Sequence, residues 1–232
     1  MSDMSLQLTL EHSNIFKNLP MEVLQNLVSE FTKFIYRKGQ IINYTDIDKY
    51  FFIIANGYIK MSRMDIQTGK KVALFLYERY DVLDVVSLID GRIHDVEFTS
   101  VTPSILYAIK IDHMRELLAD VRVLNSNFLS YLGSHQRKLE CFSEAVAFYN
   151  TKTRLINLIL RYADQSKIFY EKIPVELLSN LTHADIAELI ASVRSVVTTE
   201  INKLKNEGIL SVEHRNITIN DLQRLRKKRK NI

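Results

Sequence analysis

A short stretch near the C-terminus holds side chains that could form hydrogen bonds with the edges of DNA bases. Arg194, Ser195, Val196 and Thr199 share the face of a predicted helix that lies opposite its apolar stripe. An arginine guanidinium can donate two parallel hydrogen bonds to one guanine, and hydroxyl and apolar groups can contact the neighbouring bases. These residue types predict that the helix reads DNA sequence in the major groove, with Arg194 as the strongest base contact.

Two short helices must position this reading face. Thr182, with Asp185 three residues later, forms an acidic variant of the capping box and predicts where the first helix begins. Residues 191–193 form the predicted turn, and Ser192 is the predicted N-cap of the second helix. Gly208 is expected to end that helix, because glycine commonly follows a helix in the left-handed conformation. The predicted buried stripe of the second helix is Val193, Val197, Ile201 and Leu204.

Two short helices alone are also typical of an all-α core, and the segment after them distinguishes the two interpretations. Residues 209–213 and 217–219 have the composition of two strands, with a polar turn between them. This hairpin predicts the wing of a winged helix-turn-helix, lying beside the DNA backbone. Phosphate contacts are expected at the helix starts and at the tip of the wing, from Thr182, Ser192, His214 and Arg215.

The net charge is unevenly distributed along the chain. Residues 150–232 contain 15 Lys and Arg against 9 Asp and Glu, whereas residues 1–149 contain 16 against 18. A polyanionic partner is therefore expected for the C-terminal part only. The basic run at residues 224–230 supplies much of the excess, and such a run is either a solvated helix end or a contact to phosphate.

Composition and motifs exclude several other classes of protein. An apolar content of 47% with 25% charged residues is that of a folded protein with a sizeable core. The single cysteine, Cys141, cannot form an internal disulfide and cannot by itself hold an iron–sulfur cluster or a zinc ribbon. We find no signal-peptide pattern and no run of 18 apolar residues, so we expect a cytoplasmic protein without membrane contact. The nucleophile elbow, the His-Glu-x-x-His motif and the phosphate loop are also missing from the sequence, so we expect no catalytic or metal site.

Residues 34–111 have a different pattern from the rest of the chain. Short runs rich in Ile, Val, Phe and Tyr alternate with glycine-containing turns, of which Asn56-Gly57 is typical of a tight hairpin. Repeated strands with such turns predict an antiparallel β-barrel or β-roll.

A long helical region is predicted from Asp112 to Tyr149, with a break near Asp120. Its seam residues alternate spacings of three and four, which is the a/d pattern of a coiled coil. The pattern predicts a homodimer through two such helices, and the open alternative is that the same stripe packs on the chain's own β-roll. Asn150 then offers an N-cap and marks the expected hinge. The predicted interface residues are Val121, Phe128, Leu132, His135, Leu139, Phe142 and Val146.

A β-roll, a long helix, a hinge and a winged helix-turn-helix, in this order, resemble the Crp/Fnr superfamily of bacterial transcription regulators over essentially the whole chain. The most specific matches, besides the DNA-binding region, are residues 15–20, 36–42, 51–60 and 150–154. The resemblance implies an α+β fold whose antiparallel β-roll is an eight-strand, cupin-like double-stranded β-helix.

The same resemblance implies a division of labour along the chain. Residues 1–111 would sense an effector, residues 112–149 would form the dimerisation helix, and residues 150–232 would bind DNA. The implied protein is a homodimer that reads an inverted repeat in double-stranded DNA, with RNA polymerase as a candidate further partner.

Departures from the family pattern argue against cyclic AMP as the effector. In members that bind it, a Gly-Glu pair holds the ribose, and an arginine followed by Ser or Thr neutralises the phosphate. Val85 stands at the Glu position here, and the arginine position falls near Asp95, whose carboxylate would repel a phosphate. The candidate effector pocket comprises Asp84, Val85, His94, Asp95, Glu97 and Leu139.

Two alternatives to a regulator with an unidentified effector stay open at this point. One is a haem-based gas-sensing regulator, for which His94 is the best placed axial ligand among the histidines. The other is a ligand-binding or interaction module with a non-functional helix-turn-helix.

The turn of the helix-turn-helix also departs from the family pattern. Ala191 stands where the turn usually has glycine, and a positive φ at this alanine would cost about 1 kcal/mol.

Overall fold

The computed structural model describes residues 4–164, 166, 172–213 and 216–230. The chain divides into two compact units, one comprising residues 1–63 and 74–140 and the other comprising residues 64–73 and 141–232. No helix within the described ranges is long and apolar enough to span a bilayer.

The first part of the chain contains a β-roll with helices before and after it. Its helices are α1 (Met4–His12), α2 (Met21–Glu30), α3 (Tyr44–Lys49), α4 (Val85–Asp90), α5 (Ile111–Asp120) and α6 (Arg122–Phe148). Its strands are β1 (Thr32–Tyr36), β2 (Tyr50–Asn56), β3 (Ile59–Met64), β4 (Lys71–Tyr77), β5 (Glu97–Ser100) and β6 (Ser104–Lys110). The predicted long helical region is therefore two helices, and the expected break lies at Val121, between α5 and α6.

The strands form two three-stranded sheets, in the orders β1-β6-β2 and β4-β3-β5. The pairs β1–β6, β2–β6 and β3–β5 are antiparallel, as the β-roll prediction requires. The described residues hold six strands in this region rather than the implied eight. Outside the named strands, two single β-bridges join Ile41 with Thr99 and Ile53 with Val82.

The interior of the β-roll is filled by the protein's own aromatic side chains. Phe52 and Tyr77 are buried there, and Tyr77 lies beside Phe75, with ring centroids 4.5 Å apart. The imidazole of His135, on α6, stacks on Phe75 with centroids 4.1 Å apart. Burial, and then the charge of Lys138, lower the pKa of His135 to about 4. His135 is therefore a neutral core side chain at physiological pH.

The burial of α6 changes the predicted dimer seam. Phe128 and His135 are only 4% and 7% exposed, because they pack into the chain's own core. Sequence analysis assigned both to the interface, and that assignment was wrong for these two residues: an amphipathic stripe does not reveal which neighbour covers it. Other predicted seam positions are half-buried or exposed, namely Val121, Leu132, Leu139, Phe142 and Val146.

The C-terminal part begins at the predicted hinge. Helix α6 ends at Phe148, and α7 (Thr151–Arg161) follows, with the side chain of Asn150 accepting a hydrogen bond from the Thr153 amide at 2.9 Å. The later elements are α8 (Glu176–Ser179), α9 (His183–Leu189), α10 (Arg194–Asn206), α11 (Leu222–Lys230), β7 (Ile173–Pro174), β8 (Leu210–Glu213) and β9 (Asn216–Ile219). The three strands form an antiparallel sheet in the order β7-β9-β8.

Candidate nucleic-acid interface

Helix α10 is held by one apolar stripe and exposes the face opposite to it. Val197, Ile201 and Leu204 are at most 2% exposed, as their spacing predicts. Gly208 has a φ of +71° just beyond the helix end, as expected for a glycine that terminates a helix. The stripe fixes the rotation of α10 about its axis, so the opposite side chains point away from the core.

The predicted base-reading residues are all exposed, but only Ser195, Val196 and Thr199 lie on this face; Arg194, in the first turn, lies beside the apolar stripe and lines a cavity with residues of α8, α9 and the wing. The exposed side chains near the start of α10 include Arg194, Ser195, Val196 and Thr199. Arg194 is the first residue of the helix, and no carboxylate among the described residues pairs with its guanidinium. The Thr199 hydroxyl donates to the Ser195 carbonyl oxygen at 3.0 Å, which leaves its oxygen lone pairs as acceptors. The start of α10 can therefore donate through Arg194 and accept through Thr199.

The turn before α10 differs from the prediction in its capping residue. The N-cap is Val193 rather than Ser192, it makes no side-chain cap, and it is 51% exposed instead of buried. The Ser192 hydroxyl instead lies 3.5 Å from the Thr151 hydroxyl, at the start of α7. The sequence suggested Ser192 because serine is a good N-cap, but the hydrogen bond from its amide to the Ala187 carbonyl at 2.8 Å keeps it within the turn.

The turn also contains a residue with strained backbone. Ala191 has a φ of +51°, the left-handed region that an L-residue with a Cβ atom disfavours. We expect Ala191→Gly to stabilise the protein by about 1 kcal/mol, which corresponds to a rise of about 2 to 4 °C in Tm. Ala191→Val, which adds a β-branched side chain at the same φ, should lower Tm. Thermal unfolding measures both, and equal Tm values for the three proteins would show that φ at residue 191 costs nothing.

The start of α9 is the capping box that the sequence predicted. The Asp185 amide donates to the Thr182 hydroxyl oxygen at 3.1 Å, and the Asp185 carboxylate accepts from the Thr182 amide at 2.9 Å. The Thr182 hydroxyl also donates to that carboxylate at 2.7 Å. Its hydrogen is therefore used within the cap, so Thr182 orders the start of α9 rather than offering a free donor.

One residue of this surface was not predicted from the sequence. His183, the first residue of α9, places its Nδ1 2.8 Å from the Thr198 hydroxyl oxygen on α10. Burial, and then the nearby charge of Arg194, lower the pKa of His183. One indication of this role was present in the sequence: a histidine directly follows the Thr182 N-cap, at the start of the helix that packs against α10.

The wing follows α10 as predicted. Strands β8 and β9 pair antiparallel from Leu210 with Ile219 to Glu213 with Asn216. The two predicted phosphate contacts at its tip, His214 and Arg215, lie outside the described residues.

The basic run at the C-terminus is helical and is joined to the end of α10. Lys228 Nζ lies 2.6 Å from a carboxylate oxygen of Glu207, and the Arg224 guanidinium donates to the Glu207 carbonyl oxygen at 3.2 Å. The hydrogen bond from Lys228 is the main reason that the pKa of Glu207 is lowered. Part of this positive charge is thus used to attach α11 to α10.

The effector candidates do not form one continuous lining. Asp84 Oδ1 lies 2.8 Å from His94 Nδ1, so these two candidates are in contact. Val85, however, is 2% exposed and belongs to the apolar cluster around α4 and α5, whereas Leu139 packs on the cluster inside the β-roll. These two residues therefore contribute to different parts of the core.

The remaining effector candidates are engaged with near neighbours. The exposed carboxylate of Asp95 lies 3.2 Å from the guanidinium of Arg63, and Glu97 accepts a hydrogen bond from the Thr99 hydroxyl. No group of three or more metal-ligating side chains occurs in the part of the chain that the structure describes.

Comparisons with known proteins agree with this architecture. Residues 153–228 match the family model of the Crp-like helix-turn-helix domain. The Global nitrogen regulator of Synechococcus elongatus is 26% identical over 171 residues, which is 72% of this chain and 76% of the relative. FixK2 from Bradyrhizobium japonicum has the same fold, with a TM-score of 0.70, 16% identity and coverage of 85% of this chain and 96% of that one.

A further solved structure extends the fold comparison. A CRP-family transcriptional regulator from Thermus thermophilus gives a TM-score of 0.70 with 14% identity, and the match covers 84% of this chain and 96% of that one. A β-roll, a long helix and a winged helix-turn-helix together define a class of DNA-binding transcription regulators. Residues 153–228 are a Crp-like helix-turn-helix domain, and the fold of the chain is the one that FixK2 and the CRP-family regulator from Thermus thermophilus share.

Proposed function

We propose that the protein acts as a homodimer that reads an inverted repeat in double-stranded DNA with two copies of α10. The observation that carries this proposal is the exposed start of α10, where Arg194 is the first helical residue and Ser195, Val196 and Thr199 follow it. The N-terminal residues of such a helix contact base edges when it lies in the major groove. Two-fold symmetry then requires half-sites about one helical turn apart, roughly 34 Å.

The dimer interface that fits the exposed residues is shifted from the predicted one. Phe128, His135 and Phe142 are replaced in the seam by the residues that follow them, Leu129, Gln136 and Ser143. The revised a/d seam is Leu129, Leu132, Gln136, Leu139, Ser143 and Val146, again at alternating spacings of three and four. Leu129 is 61% exposed and Val146 is 42% exposed in the single chain, so both have apolar surface for a second copy to cover.

The division of labour along the chain is part of the proposal. Residues 1–111 sense an effector, residues 112–149 dimerise and residues 150–232 bind DNA. The hinge at Asn150, where α6 and α7 are separate helices, supports the second boundary.

A mobility-shift experiment tests the DNA-binding part of this proposal. Sequence-specific binding should tolerate competitor DNA, and its affinity should fall steeply as salt increases, because bound phosphates release counterions. A DNA-binding regulator predicts both results, whereas an enzyme or an interaction module with a non-functional helix-turn-helix predicts neither. The name of the Synechococcus relative makes promoters of nitrogen-related genes the first fragments to test.

The effector is proposed to act on the β-roll near Asp84 and His94, and it is not cyclic AMP. Val85 stands where a ribose-binding carboxylate is needed, and it is buried in the core. The only cation within hydrogen-bond reach of Asp95 in the described residues is Arg63, and their ion pair leaves no net positive charge for a phosphate.

Micromolar cyclic AMP should therefore leave Tm unchanged. A ligand at 100 times its Kd would stabilise the folded state by about 2.7 kcal/mol, so binding would be readily detected in thermal unfolding. A DNA duplex that carries the selected site serves as the positive control and should raise Tm. A clear rise with cyclic AMP would contradict the assignment of Val85 and Asp95.

A further inference from the structure

The hydrogen bond between α9 and α10 determines which ring nitrogen of His183 carries the hydrogen when the ring is neutral. Thr198 Oγ1 donates its single hydrogen to the Arg194 carbonyl oxygen at 2.9 Å. The same oxygen must therefore accept the 2.8 Å hydrogen bond from His183, so His183 Nδ1 carries a hydrogen. This bond persists in both the neutral and the protonated ring, and Nε2 has no partner among the described residues.

This chain of hydrogen bonds ends at the base-reading residue. The N-cap of α10, Val193, makes no side-chain hydrogen bond, so the first turn of the helix has no local cap. His183 does not replace that cap, since it bonds no backbone N–H of α10, but it ties α9 to α10 through Thr198, whose hydroxyl is bonded to the carbonyl of Arg194. The backbone from which the Arg194 side chain projects is thereby tied to α9.

The His183 ring and the Arg194 side chain also line the same cavity. The cavity has a volume of about 440 Å³ and lies between α8, the starts of α9 and α10, and the wing strands. Of its described lining residues, Arg194 is the one charged group besides the titratable His183. The remaining lining residues are Leu178, Leu181, Thr182, Ala184, Val212 and Ile217. From α9 itself, Asp185 is engaged in the capping box with Thr182.

We propose that His183 is a positioning residue for Arg194 and that it takes up a proton when the DNA backbone approaches this cavity, so that DNA affinity rises as the pH falls. This inference rests on the proposed DNA-binding function. Without DNA, burial and Arg194 both oppose a second positive charge at this place. A phosphate beside the ring reverses the balance, because the protonated ring can donate from Nε2 to the phosphate while Nδ1 still holds Thr198.

The sign of the pH dependence follows from this difference. The pKa of His183 is lowered in the free protein and is expected to be higher in the complex, so binding takes up a proton. Affinity therefore increases as the pH decreases through the pKa of the complex. A difference of one unit between the two pKa values corresponds to about a tenfold change in affinity per half-site.

Three variants separate the two roles of His183 when DNA affinity and base preference are measured between pH 5.5 and 8. In His183→Asn the amide nitrogen can replace Nδ1 as the donor but cannot titrate, so base preference should be kept and the pH dependence should decrease by about tenfold per half-site. In His183→Ala both should be lost. In Thr198→Val the pH dependence should remain, whereas the preference at the base pair read by Arg194 should relax.

Controls make the outcomes distinguishable. His113→Asn, on α5, removes an exposed imidazole that lies far along the chain from the helix-turn-helix and should match the wild type, while His214→Asn reports any separate contribution from the wing. Thermal unfolding identifies a variant that fails to fold. The proposal is overturned if His183→Asn keeps the wild-type pH dependence, or if folded His183→Ala keeps the wild-type base preference. If the wild type binds no DNA at any pH, the proposed function itself fails.

Discussion

The double variant Leu129→Glu/Val146→Glu is expected to be monomeric and to bind its DNA site at least about 100-fold more weakly than the wild type. Both side chains lie on the revised seam of α6, so a parallel dimer would place two facing pairs of carboxylates, four in all, in the interface. A monomer engages one half-site at a time and loses the gain from linked binding, which is typically 10²- to 10⁴-fold. Sedimentation measures the mass, and titration of the inverted repeat measures the affinity.

The exposure of both residues makes this experiment specific for dimerisation. Because Leu129 and Val146 are exposed in the single chain, glutamate at either position leaves the core of the protomer intact. Val123→Glu is the matched control, since Val123 is 40% exposed on the same helix but lies about 120° away from Leu129 around the axis. A double variant that remains dimeric, or a Val123 variant that dissociates equally, would rule out the proposed seam.

Arg194→Ala should produce the second large effect. Its guanidinium can form two hydrogen bonds with the O6 and N7 atoms of one guanine, so its removal should cost about 1 to 3 kcal/mol of binding free energy. The loss should be confined to sites that carry the preferred base pair, because the other contacts are unchanged. Binding-site selection with the variant should therefore recover one relaxed position in each half-site.

Arg215→Ala is the comparison for this experiment. Arg215 is predicted at the tip of the wing, where an arginine contacts phosphate, so its loss should weaken all DNA sequences alike and reduce the salt dependence by about one unit. The assignment is reversed if Arg194→Ala retains the wild-type base preference while Arg215→Ala alters it.

Features that depend on neighbouring residues in the sequence could be predicted. The capping box at Thr182 and Asp185 and the N-cap at Asn150 are each decided within four residues, and the structure confirms both. The wing strands and the exposed face of α10 follow from short-range periodicity and are also as predicted. Local hydrogen bonding and alternation are thus sufficient for these elements.

Features that depend on tertiary contacts could not be predicted in the same way. Phe128 and Leu129 are both apolar neighbours on α6, and only the position of the β-roll determines that Phe128 is buried by the chain itself. Serine is the better N-cap by type, but packing of the turn places Val193 there. The contact between His183 and Thr198 joins residues 15 apart on two helices, and no pattern in either helix specifies it.

The interleaving of two surfaces on α6 has a mechanical consequence. Phe128 and His135 are fixed in the core of the first compact unit, while Leu129 and Gln136, one residue further along, belong to the proposed seam. The two faces share one backbone, so any torsion of α6 about its axis moves both by the same angle. A turn of about 20° displaces side-chain ends by about 2 Å, enough to shift apolar contacts out of register. Repacking around the stacked rings of Phe75 and His135 would thereby be converted into a twist between the two protomers.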